Sequence, residues 1–542
     1  MLPRLVPADA DPSRMQVAPP VLLGDARSTR ALRGREIALG YYRGAFCYPR
    51  VAQIAEILRS PEVEQVVRAA APDDAPHLRE QARAFAAKML PNPDCLSYNL
   101  LALVVRGTLA ALFEGMHVTG ADQVRALGEE VTRIYVASHA GGHADYLFQN
   151  FTISRLGLRT PLTVASAHLD TPGIGLALRH CGAFYLKRGG EALGTLPRGG
   201  ARSMYRAVVG GALGTLLRGG RDLLMFPEGA PSVDGRPLRI RTGFLRDLVR
   251  QARRGLGRPV ALVPVNLRHD RPFEEGVFLQ VAARGTWRGL SADNIHGLLR
   301  GLRGLRRNYG TLHMHFGRPR LLDELLATGT DSDATATARV AAWVGQGIQA
   351  AAPLSAASLA AVSLVPATAP LAFDDMLRDA TRLIAVLSAI HPEMPVATGV
   401  PLAGQLRALR RIELFAERGD WLTVDADQRV RLSRHRNLAL PRLAIPSMVC
   451  RSLLAGINTP AAIAADWPEA FPRVRDKLHL AIPTERLDEA VAGCLRALAG
   501  DGVVSLEESD CVCVRDECRA LVTHLVDAFD LDRDVDGHVE IS

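Results

Sequence analysis

Cysteine is sparse in this chain. Eight are scattered through 542 residues with no CxxC pair, which excludes a disulfide framework and leaves reduced thiols as the expectation. Cys511, Cys513 and Cys518 with His524 offer metal-binding atoms, but CVCV reads as a strand, so no metal site is expected. Uninterrupted apolar stretches are missing too. None reaches the roughly 20 residues of a membrane-spanning helix, and the nearest candidate, 350–373, is broken by Pro353, Pro366 and Pro370. The N-terminus, MLPRLVPADADPSRMQ, carries acidic residues and prolines where a secretory segment needs an apolar block. Acidic residues are outnumbered: the formal charge is +8, supplied mainly by arginine, which favours anionic partners. Aromatics make up only 5%. The basic cluster Arg300, Arg303, Arg306 and Arg307 has none interleaved, so it suits an anionic membrane surface better than nucleic acid, or else forms a solvated helix face.

Apolar residues are plentiful, at 48%, enough for two or three packed units. Residues 1–36, rich in Pro, Asp and Arg, read as a flexible N-terminal arm. Residues 37–125 show helical spacing in 51–67, 78–89 and 96–113. The last, LSYNLLALVVRGTLAALF, has Arg106 as its only charge, which means deep burial, an acyl groove or a bilayer contact. Residues 126–330 alternate β-rich runs (131–137, 162–165, 183–187, 222–226, 259–265, 311–316) with helical segments (144–156, 174–180, 200–217, 242–254). The pattern predicts an α/β fold with a mainly parallel mixed sheet flanked by helices, whose ligands gather at strand ends. Residues 331–542 read as a mainly helical C-terminal region. It holds helices at 335–351, 354–364, 373–390 and 402–415, a hairpin in GDWLTVDADQRVRLS, and a proline-interrupted helical stretch after it. The tail residues Asp532, Asp534, Asp536 and Gly537 imitate a calcium loop without its closing glutamate and read as a solvated acidic tail.

The chemistry is concentrated in IYVASHAGGHADYLF, 134–148. A strand stops at Ser138 and a helix begins near Ala144, so His139, His143 and Asp145 sit on a strand-to-helix corner. The helix N-terminus there favours negative charge. A histidine beside a carboxylate acts as a base near neutral pH, because the carboxylate fixes the imidazole tautomer and stabilises the imidazolium. The alternative is a set of loop polars capping a helix. No G-x-S-x-G corner exists to supply a serine nucleophile.

This corner resembles the signature of the glycerol-3-phosphate acyltransferase family, a histidine and an aspartate separated by four residues in a segment like HRSHMDYLL. Here five residues separate His139 from Asp145, and Gly141 or Gly142 is the extra one. Later segments match the family in order. GAFYLKR (182–188) resembles its second block, FPEGAPSVDGR (226–236) its third, and VALVPVNL (260–267) its fourth. RTGFL, NYGTLHMHFGRP and RHRNLALPRLAIPS resemble further segments of the long bacterial and mitochondrial type.

The resemblance implies that 126–330 is an acyltransferase domain and that His139, oriented by Asp145, deprotonates the sn-1 hydroxyl of glycerol 3-phosphate. That oxygen attacks a fatty acyl thioester of CoA or acyl-carrier protein, and backbone N–H groups of the corner stabilise the oxyanion. His143 is implied to be structural, although the inserted residue leaves open which histidine is the base. Lys187, Arg188, Glu228, Gly229, Ser232 and Arg241 are implied to bind substrate. The third block lacks the arginine that usually follows its glycines, having Ala230 and Pro231 instead. Acceptors such as dihydroxyacetone phosphate or a non-phosphorylated alcohol, or a catalytically inactive lipid-binding role, are therefore alternatives. No metal or cofactor beyond the co-substrate is implied. The expected setting is cytoplasmic, peripheral on the inner face of the cell membrane against anionic lipid, without nucleic acid.

Overall fold

The structure, a computed structural model, describes residues 50–536 apart from 143, 188–199, 273, 277, 280–307, 327–330, 395–400 and 507–510. The expected arm 1–36, His143, Arg188 and the arginine cluster 300–307 lie outside the described residues.

A mixed eight-stranded sheet organises the region. Its strands are β1 (Gly115–Thr119), β2 (Thr132–Ala137), β3 (Leu162–Ser166), β4 (Ala183–Leu186), β5 (Leu223–Met225), β6 (Val260–His269), β7 (Thr311–Phe316) and β8 (Arg320–Leu321). They lie in the order β1-β7-β6-β2-β5-β3-β4, with β8 also on β6. β6, β2, β5, β3 and β4 are parallel neighbours, whereas β7 and β8 pair antiparallel with β6. The sequence pattern located the six strands β2 to β7. It missed β1 (GMHVT) and β8, which are short and lack a β-branched apolar run.

Both faces of the sheet are apolar, as a parallel sheet covered on two sides requires. Ile134 and Val136 of β2 face one core with Leu223, Met225, Val260 and Leu262, while Tyr135 and Ala137 face the other with Leu224, Val263 and Val265. The alternation follows from the two-residue period of a strand. Helices α1 (Cys95–Leu112) and α2 (Asp145–Arg155) cover the second face; α3 (Gly200–Arg218), α4 (Thr242–Arg253) and α5 (Asp333–Ala350), with the N-terminal helices, cover the first. Pro264 is tolerated inside β6 because it falls where that strand's outer partner changes from β8 to β7, and its carbonyl accepts the N–H of Gly317 at 2.8 Å.

Three expected helices differ in extent. The 51–67 helix is two, Arg50–Leu58 and Pro61–Arg68, because Pro61 starts a new helix after Ser60. The 402–415 helix ends at Ala408 and passes through a 3-10 turn to Glu413, which lies in the left-handed region at φ 60°. The stretch expected to be proline-interrupted is one helix, α6 (Ala426–Leu454), with Pro441 and Pro446 inside it. A capping box between Asp425 and Gln428 starts α6. Its residues 434–450 are buried without a break, so tertiary packing outweighs the two lost backbone hydrogen bonds. The hairpin expected in 419–433 lies earlier: Trp421–Thr423 pairs with Ala416–Arg418, and the second half of that stretch, from Ala426, is already helix.

Candidate active site

Because β2, β4, β5 and β6 run parallel, their C-terminal ends meet at one edge of the sheet. His139 follows β2, Lys187 follows β4, Glu228 follows β5, and His269 ends β6. Asp145 is the first residue of α2, where its negative charge suits the helix N-terminus.

Asp145 is fully buried. Its Oδ2 accepts the Gly141 N–H at 2.8 Å and stands 3.7 Å from His139 Nδ1. Its Oδ1 lies 2.8 Å from His269 Nε2. Burial alone would raise its pKa, but the neighbouring His139 and the hydrogen bond from His269 reverse the effect and hold the carboxyl well below the usual range. His139 is 7% exposed, and its ring lies against Phe226 with centroids 4.6 Å apart.

Glu228 is a second buried carboxylate, accepting the N–H of His139 at 2.8 Å and that of Leu238 at 3.4 Å. Burial drives its pKa upward, and the two backbone N–H groups oppose the rise. The third block is thereby tied to the corner, and a second tie runs from the Ser232 N–H to the His139 carbonyl at 2.9 Å. The corner N–H groups expected to stabilise an oxyanion are in part already engaged, since those of His139 and Gly141 bind Glu228 and Asp145.

A cavity of about 1780 Å³ opens beside the corner. Its wall includes Phe226, Glu228 and Gly229, the basic side chains Lys187, Arg239, Arg241, Arg434 and Arg436, and apolar residues such as Val164, Val209 and Phe278. Gly229 has φ 82°, and a Cβ there would collide with the Arg241 side chain. Arg241 Nε donates to the Glu228 carbonyl at 3.3 Å. Ser232, expected at the substrate, is buried off the cavity wall, its hydroxyl donating to the Arg236 carbonyl at 2.7 Å. Arg236 pairs with Asp234 and with the buried Asp534. The tail carboxylate Asp534, read from sequence as solvated, thus belongs to the packed structure.

Sequence reasoning missed two contributions. His269 escaped because the fourth-block strand was expected to end at Val265, whereas it runs on through Asn266, Leu267 and Arg268. Arg434 comes from α6 and reaches back to the corner, donating to the carbonyls of Ala140, Ser232 and Val233. Burial lowers its pKa to about 10 and that of Arg268 to about 9, so both stay cationic at neutral pH. His435, beside it in the wall, is pushed down to about 4 by burial and by Arg434, and adds no charge there.

Two family profiles match the chain: "Acyltransferase" over residues 115–268 and "Glycerol-3-phosphate acyltransferase C-terminal region" over 292–528. Among curated proteins, the glycerol-3-phosphate acyltransferase of Pseudomonas entomophila is 26% identical over 91% of this chain and 63% of its own length. That of Pseudomonas putida KT2440 is 26% identical over 83% and 55%, and that of Aeromonas hydrophila 27% over 71% and 49%. The chain thus spans between about half and two thirds of the length of these relatives.

Proposed function

We propose that the chain, which matches these acyltransferase profiles and relatives, moves a fatty acyl group from a thioester of CoA or acyl-carrier protein to the sn-1 hydroxyl of glycerol 3-phosphate. The observation that carries this reading is the His139–Asp145 pair at the sheet edge, beside a large cavity with a basic wall.

His139 Nδ1 faces Asp145, which leaves Nε2 to take the hydroxyl proton as that oxygen attacks the thioester carbonyl. The C–S bond then breaks, and the imidazolium returns the proton to the departing thiolate. Asp145, kept ionised by its surroundings, stabilises the imidazolium in between. The alcohol itself is the nucleophile, so the reaction needs no covalent enzyme intermediate and no cofactor beyond the thioester. Lys187, Arg239, Arg241, Arg434 and Arg436 neutralise the acceptor phosphate, and the apolar part of the wall takes the acyl chain.

The loss of an arginine after Gly229 is made good from α6, whose Arg434 runs beneath the third block. This favours a phosphorylated acceptor over a neutral alcohol; dihydroxyacetone phosphate stays as the competing one. The test is incubation of the purified chain with glycerol 3-phosphate, dihydroxyacetone phosphate and a panel of acyl thioesters, with identification of the lipid formed. Formation of 1-acylglycerol 3-phosphate supports the proposal; no thioester consumption with any acceptor refutes it.

Membrane attachment in this reading is peripheral, on the inner face of the cell membrane. No helix among the described residues is long and apolar enough to cross a bilayer. α1 buries Tyr98, Ala102, Val105 and Leu109 and leaves Leu96, Leu100 and Val104 between 55 and 69% exposed, a stripe four residues apart on its outer face. Such a stripe suits the interfacial region of a bilayer.

A further inference from the structure

We propose that His269 is a positioning residue for acyl transfer. Its Nε2–H fixes the Asp145 carboxylate in the orientation that faces His139. The inference rests on the reading of His139 as the base.

Asp145 needs an anchor other than His139. With five residues between them, His139 Nδ1 stands 3.7 Å from Oδ2, beyond hydrogen-bond distance. That bond forms well only if the carboxylate is already held. His269 Nε2, at 2.8 Å from Oδ1, and the Gly141 N–H, at 2.8 Å from Oδ2, hold both oxygens.

His269 cannot itself meet an alcohol. Its side chain is 1% exposed, and its ring packs between Phe113 and Phe148, with centroids 6.1 and 6.0 Å away. Its Nδ1 is buried without a hydrogen-bond partner among the described residues. With no partner at Nδ1, the ring gives its Nε2–H to Asp145. The other charged groups facing Asp145 are Arg268 on β6, Arg434 on α6, and Glu228 beyond β5, besides His139 itself. Asp270, the neighbour of His269, pairs with His313 instead.

The corner loop is shaped around this bond. A Cβ at Gly141 would run into both His269 Nε2 and Asp145 Oδ1, so the loop passes directly over the hydrogen bond and only glycine fits. The residue inserted between His139 and Asp145 and the histidine at the end of β6 therefore belong to one arrangement.

The experiment compares the full-length protein with His269→Phe and His269→Gln, measuring kcat and KM for glycerol 3-phosphate with an acyl-CoA across pH. For His269→Phe, kcat should fall roughly 10²-fold with KM within roughly threefold. The acid limb of the pH profile should also move to lower pH, because a displaced carboxylate no longer favours the imidazolium. Glutamine, whose amide can donate to Oδ1, should recover at least roughly a tenth of the wild-type rate. An unchanged rate and acid limb in His269→Phe overturns the proposal, and so does an equal loss in both variants with the limb unmoved. A substrate-free arm uses ¹⁵N-histidine spectra of the wild type from about pH 6 to 8, with His269 assigned from the glutamine variant. A proton on Nε2 is expected throughout; a ring whose only proton is on Nδ1 overturns the proposal. A wild type that transfers no acyl group refutes the proposed function instead, and leaves this spectrum to judge the hydrogen bond.

Discussion

At the scale of single residues, two buried carboxylates, Asp145 and Glu228, are held in different ways. Asp145 is ringed by donors, and its pKa is lowered. A carboxyl with a depressed folded-state pKa contributes stability above its unfolded value of about 3.9 and loses it only as pH falls through the lower folded value. The stability difference between the wild type and Asp145→Asn should therefore be fully present at neutral pH and shrink as the solution is taken below about pH 4. Chemical denaturation at several pH values checks this, and a difference that grows on acidification would contradict it. Glu228 accepts two backbone N–H groups. Glu228→Gln opposes one of them with an amide N–H and should cost about 1–3 kcal/mol, read as a shift in the denaturation midpoint. His139 was legible because a histidine and an acid on a strand-to-helix corner announce themselves. His269 was not, since a lone histidine after a run of apolar residues gives no local sign of what it touches.

Among the elements, strands buried on both faces were easy to see as continuous apolar runs, and their parallel order followed from the alternation with helices. The end of β6 was hidden because Asn266, Arg268 and His269 are buried polar residues that a hydrophobicity pattern reads as loop. Pro441 and Pro446 likewise suggested breaks in a helix that packing keeps whole. α6 matters to the site because Arg434 spans from it to three carbonyls of the corner and the third block. Arg434→Met keeps the length of the side chain but removes those bonds and a cation from the cavity wall. The expected result is a rise of at least roughly tenfold in KM for glycerol 3-phosphate, seen in initial-rate kinetics. A loss confined to kcat would contradict a role in the acceptor pocket.

For the molecule as a whole, the cavity is built by both halves of the chain: the sheet edge supplies Lys187 and the third block, and α6 supplies Arg434, His435 and Arg436 to its wall. The Arg236–Asp534 pair ties the third block to the far end of the described chain. Because Asp534 is buried and accepts from Arg236, Arg533 and the Asp530 N–H, Asp534→Asn should lower stability by about 1–3 kcal/mol, measured by denaturant unfolding. The outward stripe of α1 leads to a separate expectation. Replacing Leu96, Leu100 and Val104 together by serine should weaken cosedimentation with anionic vesicles while leaving transfer from a water-soluble short-chain thioester to glycerol 3-phosphate intact. Undiminished vesicle binding would assign attachment to another surface.

The most direct measurement follows labelled glycerol 3-phosphate and an acyl-CoA into product with the wild type and with His139→Ala. The wild type should form 1-acylglycerol 3-phosphate, and the variant should lose about 10² to 10⁴ of that rate while keeping the wild-type melting transition. A fully active variant, or a folded wild type that forms no acylated product, would contradict the assignment of His139 as the base that activates the alcohol.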